Sequence, residues 1–517
     1  MFGIFFVLSI LFVRNETARI LAVYPTPSIS HQVVFRQLTN ELIRRGHEVL
    51  VITTDPEYSK GDAPINLTEI DVHEISYRKW REYLATTSSD DNDLQTQTKV
   101  AFPLISEIFY HQMRAKEVEV VFEDKSKKFD LLLFEAYVKP VVALTHVLNI
   151  RAIQVSSFGA IMGIHGSFGA PVHPLLYPTS FRQRIYNLTF WEKLRELYNH
   201  YQLMNLMQSF ESADNILVKR LFGPDIPDIK ELMDNVDLLF LNTNPIWESN
   251  RPVPPAVIYM GGLHQKPVKE LPKDLKNYLD SSTKGVIYMS FGTNVAPSQL
   301  PSEKIKLFLK VFSELPYNVL WKWDQDDLPG KSKNIRVSKW LPQSDLLRHH
   351  NVKLFITQGG LQSTDEAITA GVPLIGIPML GDQWYNVEHY TYHRIGLRLD
   401  MNVLTEDALR KAIYTILGDD SYRQNVIRLR NIVKDEPMKP LDRAVWWIEY
   451  VIRHGGAKHF RSPAANMSWA EFLELKFIAT LLLLVFAVLS IFGYFVFLLV
   501  KLYRKYQYVV RIKIKRT

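Results

Sequence analysis

Residues 340–383 read WLPQSDLLRHHNVKLFITQGGLQSTDEAITAGVPLIGIPMLGDQ, and the pattern of this stretch sets the fold class. Lys353–Thr357 (KLFIT) is a short apolar run of the kind that forms a strand buried on both faces. Gln358-Gly359-Gly360 follows at once. Leu361–Ala370 then has helical character, with acids Asp365 and Glu366 early in the run and Gly371 as its stop. Val372–Pro378 (VPLIGIP) is the next strand. A strand, glycine turn, helix and strand in that order make one unit of a parallel α/β sheet.

Such a unit is suited to phosphate. A helix N-terminus offers unpaired N–H groups and the positive end of a dipole, and glycines let a diphosphate approach the backbone. Many α/β proteins have glycine turns with no ligand, so the flanking groups carry the weight. Trp340 precedes the strand and offers a flat ring for a base. Glu366 lies one turn into the helix, where a carboxylate can accept two ribose hydroxyls. Asp382 and Gln383 follow the second strand, at the carboxyl-end crevice where α/β sheets bind ligands.

The stretch resembles the signature of the UDP-glycosyltransferase family, of the insect type among the UDP-glucuronosyltransferase-like members: WLPQ, the glycine turn, S-x-x-E, GVP, GIP and the closing DQ are all present. Similarity extends from ARILAVYPTPSISHQVVF near the start to LDRAVWWIEYVIRHGGAKHFRSPAA near the end. The resemblance implies an α/β protein of GT-B fold, two Rossmann-like domains facing across a cleft. It implies that Trp340 stacks on uracil, that Gln343 sits near the ribose or base, and that Ser363 with the Gln358–Gly360 turn holds the diphosphate. Glu366 would bind the ribose diol, and Asp382 and Gln383 the hydroxyls of the donor sugar. Ser290, Gly292 and Thr293, in the SFGT loop that opens the second domain, would add donors to phosphate. One departure stands out. Many members carry His where this chain has Gln358, and a neutral amide makes a weaker bond to phosphate than a cation.

In the first half, Arg19–Tyr24 is a strand, His31–Gly46 a helix and His47–Thr53 a second strand, again a doubly wound half. The family's catalytic His falls at His31. A lone His at a helix start is otherwise a solvent-exposed residue. Phe129–Phe134 is a buried strand followed by Glu135, where the family more often has Asp as partner of that His. The competing reading of Glu135 is a strand-end acid capping the next helix. His31 would then take the acceptor's proton and Glu135 would orient the ring, as a triad acid does. The resemblance implies transfer with inversion and no cofactor besides the UDP-sugar co-substrate, expected to be UDP-glucose, with no metal.

The ends of the chain frame this body. Phe2–Val13 is an apolar run of signal-peptide length, so residues 1–18 are expected to be a signal. The expected divisions are 19–243 for the acceptor-binding domain, 244–283 for a Pro-rich linker with a short helix, 284–460 for the donor domain and 461–476 for a juxtamembrane segment. Residues 477–500 carry no charge; at ~1.5 Å per residue they reach about 36 Å, enough to span a bilayer. The tail 501–517 holds seven of the chain's Lys and Arg and no acid, a positive-inside flank. Without it the chain's net charge of +7 falls to zero, which argues against nucleic acid as a partner. Its last five residues, KIKRT, match a K-x-K-x-x retrieval pattern through Lys513 and Lys515. The expectation is a single-pass endoplasmic-reticulum membrane protein with a lumenal body and a cytosolic tail. There is no cysteine, which removes disulfide and thiolate chemistry.

Asn-x-Ser/Thr sites at Asn66, Asn187 and Asn466 are expected glycan acceptors, and a fourth at Asn15 would leave with the signal. The pairs Asp91-x-Asp93 and Asp324-x-Asp326 read as surface charge, His165 and His173 lack ligand spacing, and 77–115 reads as irregular. Phe181–Ala213 has apolar residues at helical spacing, usually a core face; the resemblance lets it line a pocket for a small lipophilic acceptor. The function expected is sugar transfer to such an acceptor, a detoxification-type conjugation. The alternatives are a membrane-lipid acceptor, or a membrane-anchored binding protein of the same fold with impaired catalysis. An oligomer is possible.

Overall fold

The computed structural model describes residues 17–86, 94–123, 128–161 and 163–514. The signal expected at 1–18, Asn15, the Asp91-x-Asp93 pair and Lys515 lie wholly or mainly outside these residues.

Two parallel sheets form the body. The first has strands β1 (Arg19–Tyr24), β2 (Glu48–Thr53), β3 (Leu67–Asp71), β4 (Leu131–Glu135), β5 (Arg151–Ser156), β6 (Val236–Leu241) and β7 (Val257–Tyr259), in the order β3-β2-β1-β4-β5-β6-β7. The second has β8 (Val286–Ser290), β9 (Asn318–Lys322), β10 (Ile335–Ser338), β11 (Val352–Thr357), β12 (Leu374–Gly376) and β13 (Gly396–Arg398), in the order β10-β9-β8-β11-β12-β13. Each order reverses once, between β1 and β4 and between β8 and β11, which opens a crevice at the carboxyl ends of those strands. Both sheets are Val/Ile/Leu-rich and buried, as parallel strands covered by helices must be. Register places Ser290, Thr357 and Gly376 side by side at one sheet edge, so the turns that follow them converge.

The signature stretch folds as its pattern predicts. Helix Leu361–Ala370 ends at Gly371 in the left-handed conformation, φ 75°, a C-terminus that Gly makes without steric cost. The strand expected over Val372–Pro378 narrows to Leu374–Gly376. Several expectations change elsewhere. The stretch 244–283 is not only a linker: Val257–Tyr259 pairs with β6 as the seventh strand of the first sheet. The short helix expected in that stretch, Lys273–Ser281, buries Leu275 and Leu279 in the core of the second domain. Residues 77–115 are not irregular. Helices His73–Thr86 and Leu94–Met113 occupy most of the region, and Ile108 and Phe109 are buried; the polar run between the helices obscured their period.

Phe181–Ala213 differs most. The helix runs Phe190–Phe222, started by a capping box between Thr189 and Glu192. Its first turns expose Phe190, Trp191, Tyr198 and Tyr201 rather than burying them in a core. The helical period was legible, but the side it turns inward was not.

Helix Pro440–His454, although it follows the second domain in sequence, buries Ala444, Val445, Ile448 and Val451 in the first domain's core. Arg45, at the end of the helix Ile29–Arg44, reaches Glu449 and Asp442 on it. Residues 463–517 form a separate unit. It holds helix Leu475–Ile514, the one helix among the described residues that is long and apolar enough to cross a membrane. The helix continues well past Val500, through most of the basic tail.

Candidate functional site

His31 lies in the first turn of helix Ile29–Arg44, entered from β1 through Pro25–Ser28. Its Nδ1 is 2.7 Å from Glu135 Oε1. Glu135 ends β4 and is fully buried; its other oxygen accepts the Thr26 backbone N–H at 3.1 Å. The strand order explains the meeting, because β1 and β4 are neighbours at the switch point of the first sheet. Glu135 therefore does not cap a following helix, and its extra methylene still reaches the ring. Nε2, the other ring nitrogen of His31, makes no hydrogen bond to the described residues. The edge of the ring meets Tyr137 and Phe158 at 5.9 and 5.6 Å, and behind Tyr137 lies a cavity of about 20 Å³ lined by Phe102, Ile161, Met207 and Phe210, with Asp214 at its side.

Across the cleft the second domain presents a polar cluster. Gln343 donates from Nε2 to Glu366 Oε2 at 2.7 Å and to Ser363 Oγ at 2.9 Å. Its Oε1 accepts the Tyr288 hydroxyl at 3.0 Å. All three expected residues come together, but Gln343 is taken up in holding Glu366. Burial raises Glu366 to about 7, opposed by the Gln343 hydrogen bond and Arg348. Trp340 stands 67 % exposed, with the Lys322 ammonium 5.0 Å from its ring centre.

Gln358, Gly359 and Gly360 bridge β11 and helix Leu361–Ala370. Gly359 has φ 91°, and a Cβ on it would come within 2.5 Å of Val387. Glycine is required there by conformation and by packing together. Gln358 lies buried with its Oε1 unpartnered, and its Nε2 packs against Gly292, where a Cβ would come within 2.3 Å. Ser290 is buried and accepts the Gly292 N–H at 3.3 Å. Thr293 is exposed.

Asp382 and Gln383 open the helix Gln383–Tyr392. Gln383 Oε1 accepts the N–H groups of Met379 and Leu380, both at 2.8 Å, which leaves its Nε2 for other partners. Burial pushes Asp382 up to about 6, against the pull of the Asn386 amide, its own backbone N–H and the His31 imidazole. The His31 side chain thus lies near enough to Asp382 across the cleft to act on its carboxyl.

Four residues that the sequence reading missed belong to this site. Gln362 Nε2 donates to the Ser30 carbonyl at 2.6 Å. Gln97 holds the loop before Asp382 through Met379 O and Gly381 N. Lys322 ends β9, donates to Gly292 O at 2.7 Å and places a cation beside the turn where Gln358 brings none. Asn386 touches both Asp382 and Gly359. Lys322 had a sequence signal, a basic residue closing an apolar strand; the three amides had none.

The other candidates resolve separately. Asp324 accepts the Ser298 N–H at 2.9 Å and closes a turn, while Asp326 pairs with Lys339 at the surface. His165 pairs with Glu248 in the interior. Among the described residues no three His, Asp or Glu side chains form a metal-binding group. Asn66 donates from Nδ2 to Ile43 O and His47 O, both at 2.8 Å, so both amide protons that a glycan would displace or crowd are engaged. Asn187 is exposed at φ 54°; Asn466 lies in the separate C-terminal unit.

Two Rossmann-like domains meeting at the carboxyl ends of their strands are the GT-B architecture of sugar transferases. The glycosyltransferase of kitacinnamycin superposes with a TM-score of 0.57 at 19% identity, covering 84% of this chain and 99% of its own. Residues 19–516 match the family described as UDP-glucoronosyl and UDP-glucosyl transferase, and the chain belongs to that family. It is 35% identical to an ecdysteroid UDP-glucosyltransferase of Spodoptera littoralis nuclear polyhedrosis virus, over 94% of this chain and 98% of the relative. It is 30% identical to the human UDP-glucuronosyltransferase 2B17, over 92% of each. The protein is a UDP-glycosyltransferase, an enzyme that moves sugar from a UDP-sugar donor.

Proposed function

We propose that the protein transfers glucose from UDP-glucose, with inversion, to a hydroxyl of a small lipophilic acceptor. The observation that carries this is the His31–Glu135 pair, 2.7 Å long, facing Asp382 of the other domain. Glu135 fixes the proton on Nδ1, so Nε2 is the base. It takes the acceptor's proton as the hydroxyl oxygen bonds to the anomeric carbon; the carbon–phosphate-oxygen bond breaks on the opposite face, and UDP leaves with the electron pair. Glu135 stabilises the imidazolium that results. A base so placed contributes on the order of 10²–10⁴-fold.

On this reading uracil lies on Trp340 beside Lys322, and the ribose diol on Glu366, itself held by Gln343. The diphosphate lies over Gln358–Gly360 and the N-terminus of helix Leu361–Ala370, with Ser290, Gly292, Thr293 and Ser363 as further donors. Asp382 and Gln383 take sugar hydroxyls. The backbone and helix end stabilise the charge that develops on UDP, and the UDP-sugar is co-substrate without further cofactor. Tyr137 and Phe158 form the acceptor's apolar wall, which suits a detoxification-type conjugation. The glucosyltransferase named above supports glucose as the donor sugar.

The helix Leu475–Ile514 would anchor the enzyme. With a leading signal, the basic tail and the K-x-K-x-x end, this reading puts the body in the lumen of the endoplasmic reticulum. Asn187 is then the best-placed glycan acceptor. Membranes carrying the protein, given UDP-glucose and a panel of phenols, are expected to form β-glucosides and release UDP. UDP binding without product from UDP-glucose, UDP-glucuronate or UDP-galactose would overturn the catalytic reading in favour of a binding protein.

A further inference from the structure

We infer that Asn386 is a positioning residue for the donor sugar, and that Trp247, from the loop between β6 and β7 of the first domain, sets its orientation. Asn386 lies one turn beyond Asp382 and is 2 % exposed. Its Nδ2 donates to Asp382 Oδ2 at 2.8 Å and to the Gly359 carbonyl at 2.9 Å. Its Oδ1 accepts the Trp247 indole N–H at 2.9 Å. An indole nitrogen only donates, while a carbonyl and a carboxylate only accept. The amide therefore has one orientation that satisfies all three neighbours, and Trp247 selects it.

Trp247 is itself fixed on three sides. It sits in the turn Pro245–Glu248, started by the Asn244 side chain accepting the Ile246 N–H at 3.0 Å. Its carbonyl accepts the Tyr385 hydroxyl at 2.6 Å. Its ring stacks on His389 at 4.6 Å. The residue thus docks the β6–β7 loop of the first domain onto the helix that starts with Gln383. Through Asn386 that docking reaches the carboxylate of Asp382 and the glycine turn together. The two parts of the donor site are joined by one amide, whose rotation would release both.

The inference depends on Asp382 accepting a sugar hydroxyl, so the full-length protein is tested with three single variants and one double variant. Asn386→Leu keeps the shape and removes the bonds; Trp247→Phe keeps the stacking on His389 and removes the N–H. Asn386→Leu is expected to raise the KM for UDP-glucose roughly tenfold, the effect of a lost bond to a buried charged group. Acceptor KM should be unchanged, and the inhibition constant of UDP should move less than the donor KM. Trp247→Phe should raise donor KM several-fold, and the double variant should match Asn386→Leu alone, because the two act through one amide. Additive effects in the double variant, or an Asn386→Leu donor KM within twofold of the parent, would overturn the relay. If Asn386→Leu does not fold, Trp247→Phe decides: an unchanged donor KM rejects the inference. Asp382→Asn separates the two levels. If it leaves donor KM unchanged, the sugar role of Asp382 fails; if it raises KM while the other variants do not, only the relay fails.

Discussion

Gln362, on the helix that follows the glycine turn, donates its side-chain N–H to the carbonyl of Ser30, one residue before His31, at 2.6 Å. The helix expected to bind diphosphate and the turn that carries His31, the proposed base, are thereby tied directly, without passing through the chain between the domains. Removal of this bond by Gln362→Ala is expected to lower kcat/KM about tenfold, since small errors in the relative position of base and donor are costly. UDP affinity, measured by calorimetry, should stay within about twofold, because Gln362 is bonded to the other domain. An unchanged kcat/KM would show that the cleft closes by other contacts.

His31→Ala should remove transfer by about 10²–10⁴-fold while UDP binding persists. Loss of both would point to a structural role. Glu135→Gln should cost nearly as much, because an amide can donate to Nδ1 and move the proton to the nitrogen needed as base. Glu135→Asp retains the charge but withdraws it by one methylene, and intermediate activity is expected in initial-rate assays.

Glu366 has its carboxyl raised to about 7 by burial, with Gln343 pulling against the shift. The ribose diol is best held by the ionised form. The KM for UDP-glucose should therefore rise as the pH drops below about 7, and Glu366→Gln should have a higher KM with little pH dependence. A parent KM that is flat across this range would remove Glu366 from the ribose.

Asp382 gives a stability prediction of opposite direction to the usual carboxylate. Its folded-state value is about 6, above the ~3.9 of an exposed Asp. Between those values the folded protein binds more protons than the unfolded one, so stability falls as pH rises through this window. Asp382→Asn should melt higher than the parent at about pH 8, and the gain should vanish near about pH 4. Scanning calorimetry of the purified protein checks the sign.

The fold was legible because its decisive elements are local. The apolar runs Arg19–Tyr24 and Lys353–Thr357, and the stop at Gly371, each announce themselves within a few residues. Glu366 and Asp382 stand at a helix start and after a strand end, where α/β sheets put chemistry, whereas His31 and Glu135 were singled out only by the family resemblance. Asn386, Trp247, Gln362 and Gln97 were not found, because an amide or indole in a helix or loop has no sequence mark of the partner it will meet. Trp247 and Asn386 are 139 residues apart. The helix Phe190–Phe222 shows the same limit from another side. Its spacing gave the helix, but nothing local said whether Trp191 and Tyr198 would face protein or solvent.

Helix Pro440–His454 returns to the first domain's core after the second domain is complete. The backbone therefore passes between the lobes twice, once near 264–272 and again near 435–440. A single recombination junction between two such genes could not exchange donor lobes cleanly, since the incoming segment would bring a foreign helix into the recipient's acceptor lobe. New pairings of sugar and acceptor specificity need two breakpoints, or a helix whose Ala444, Val445, Ile448 and Val451 face already fits its new host.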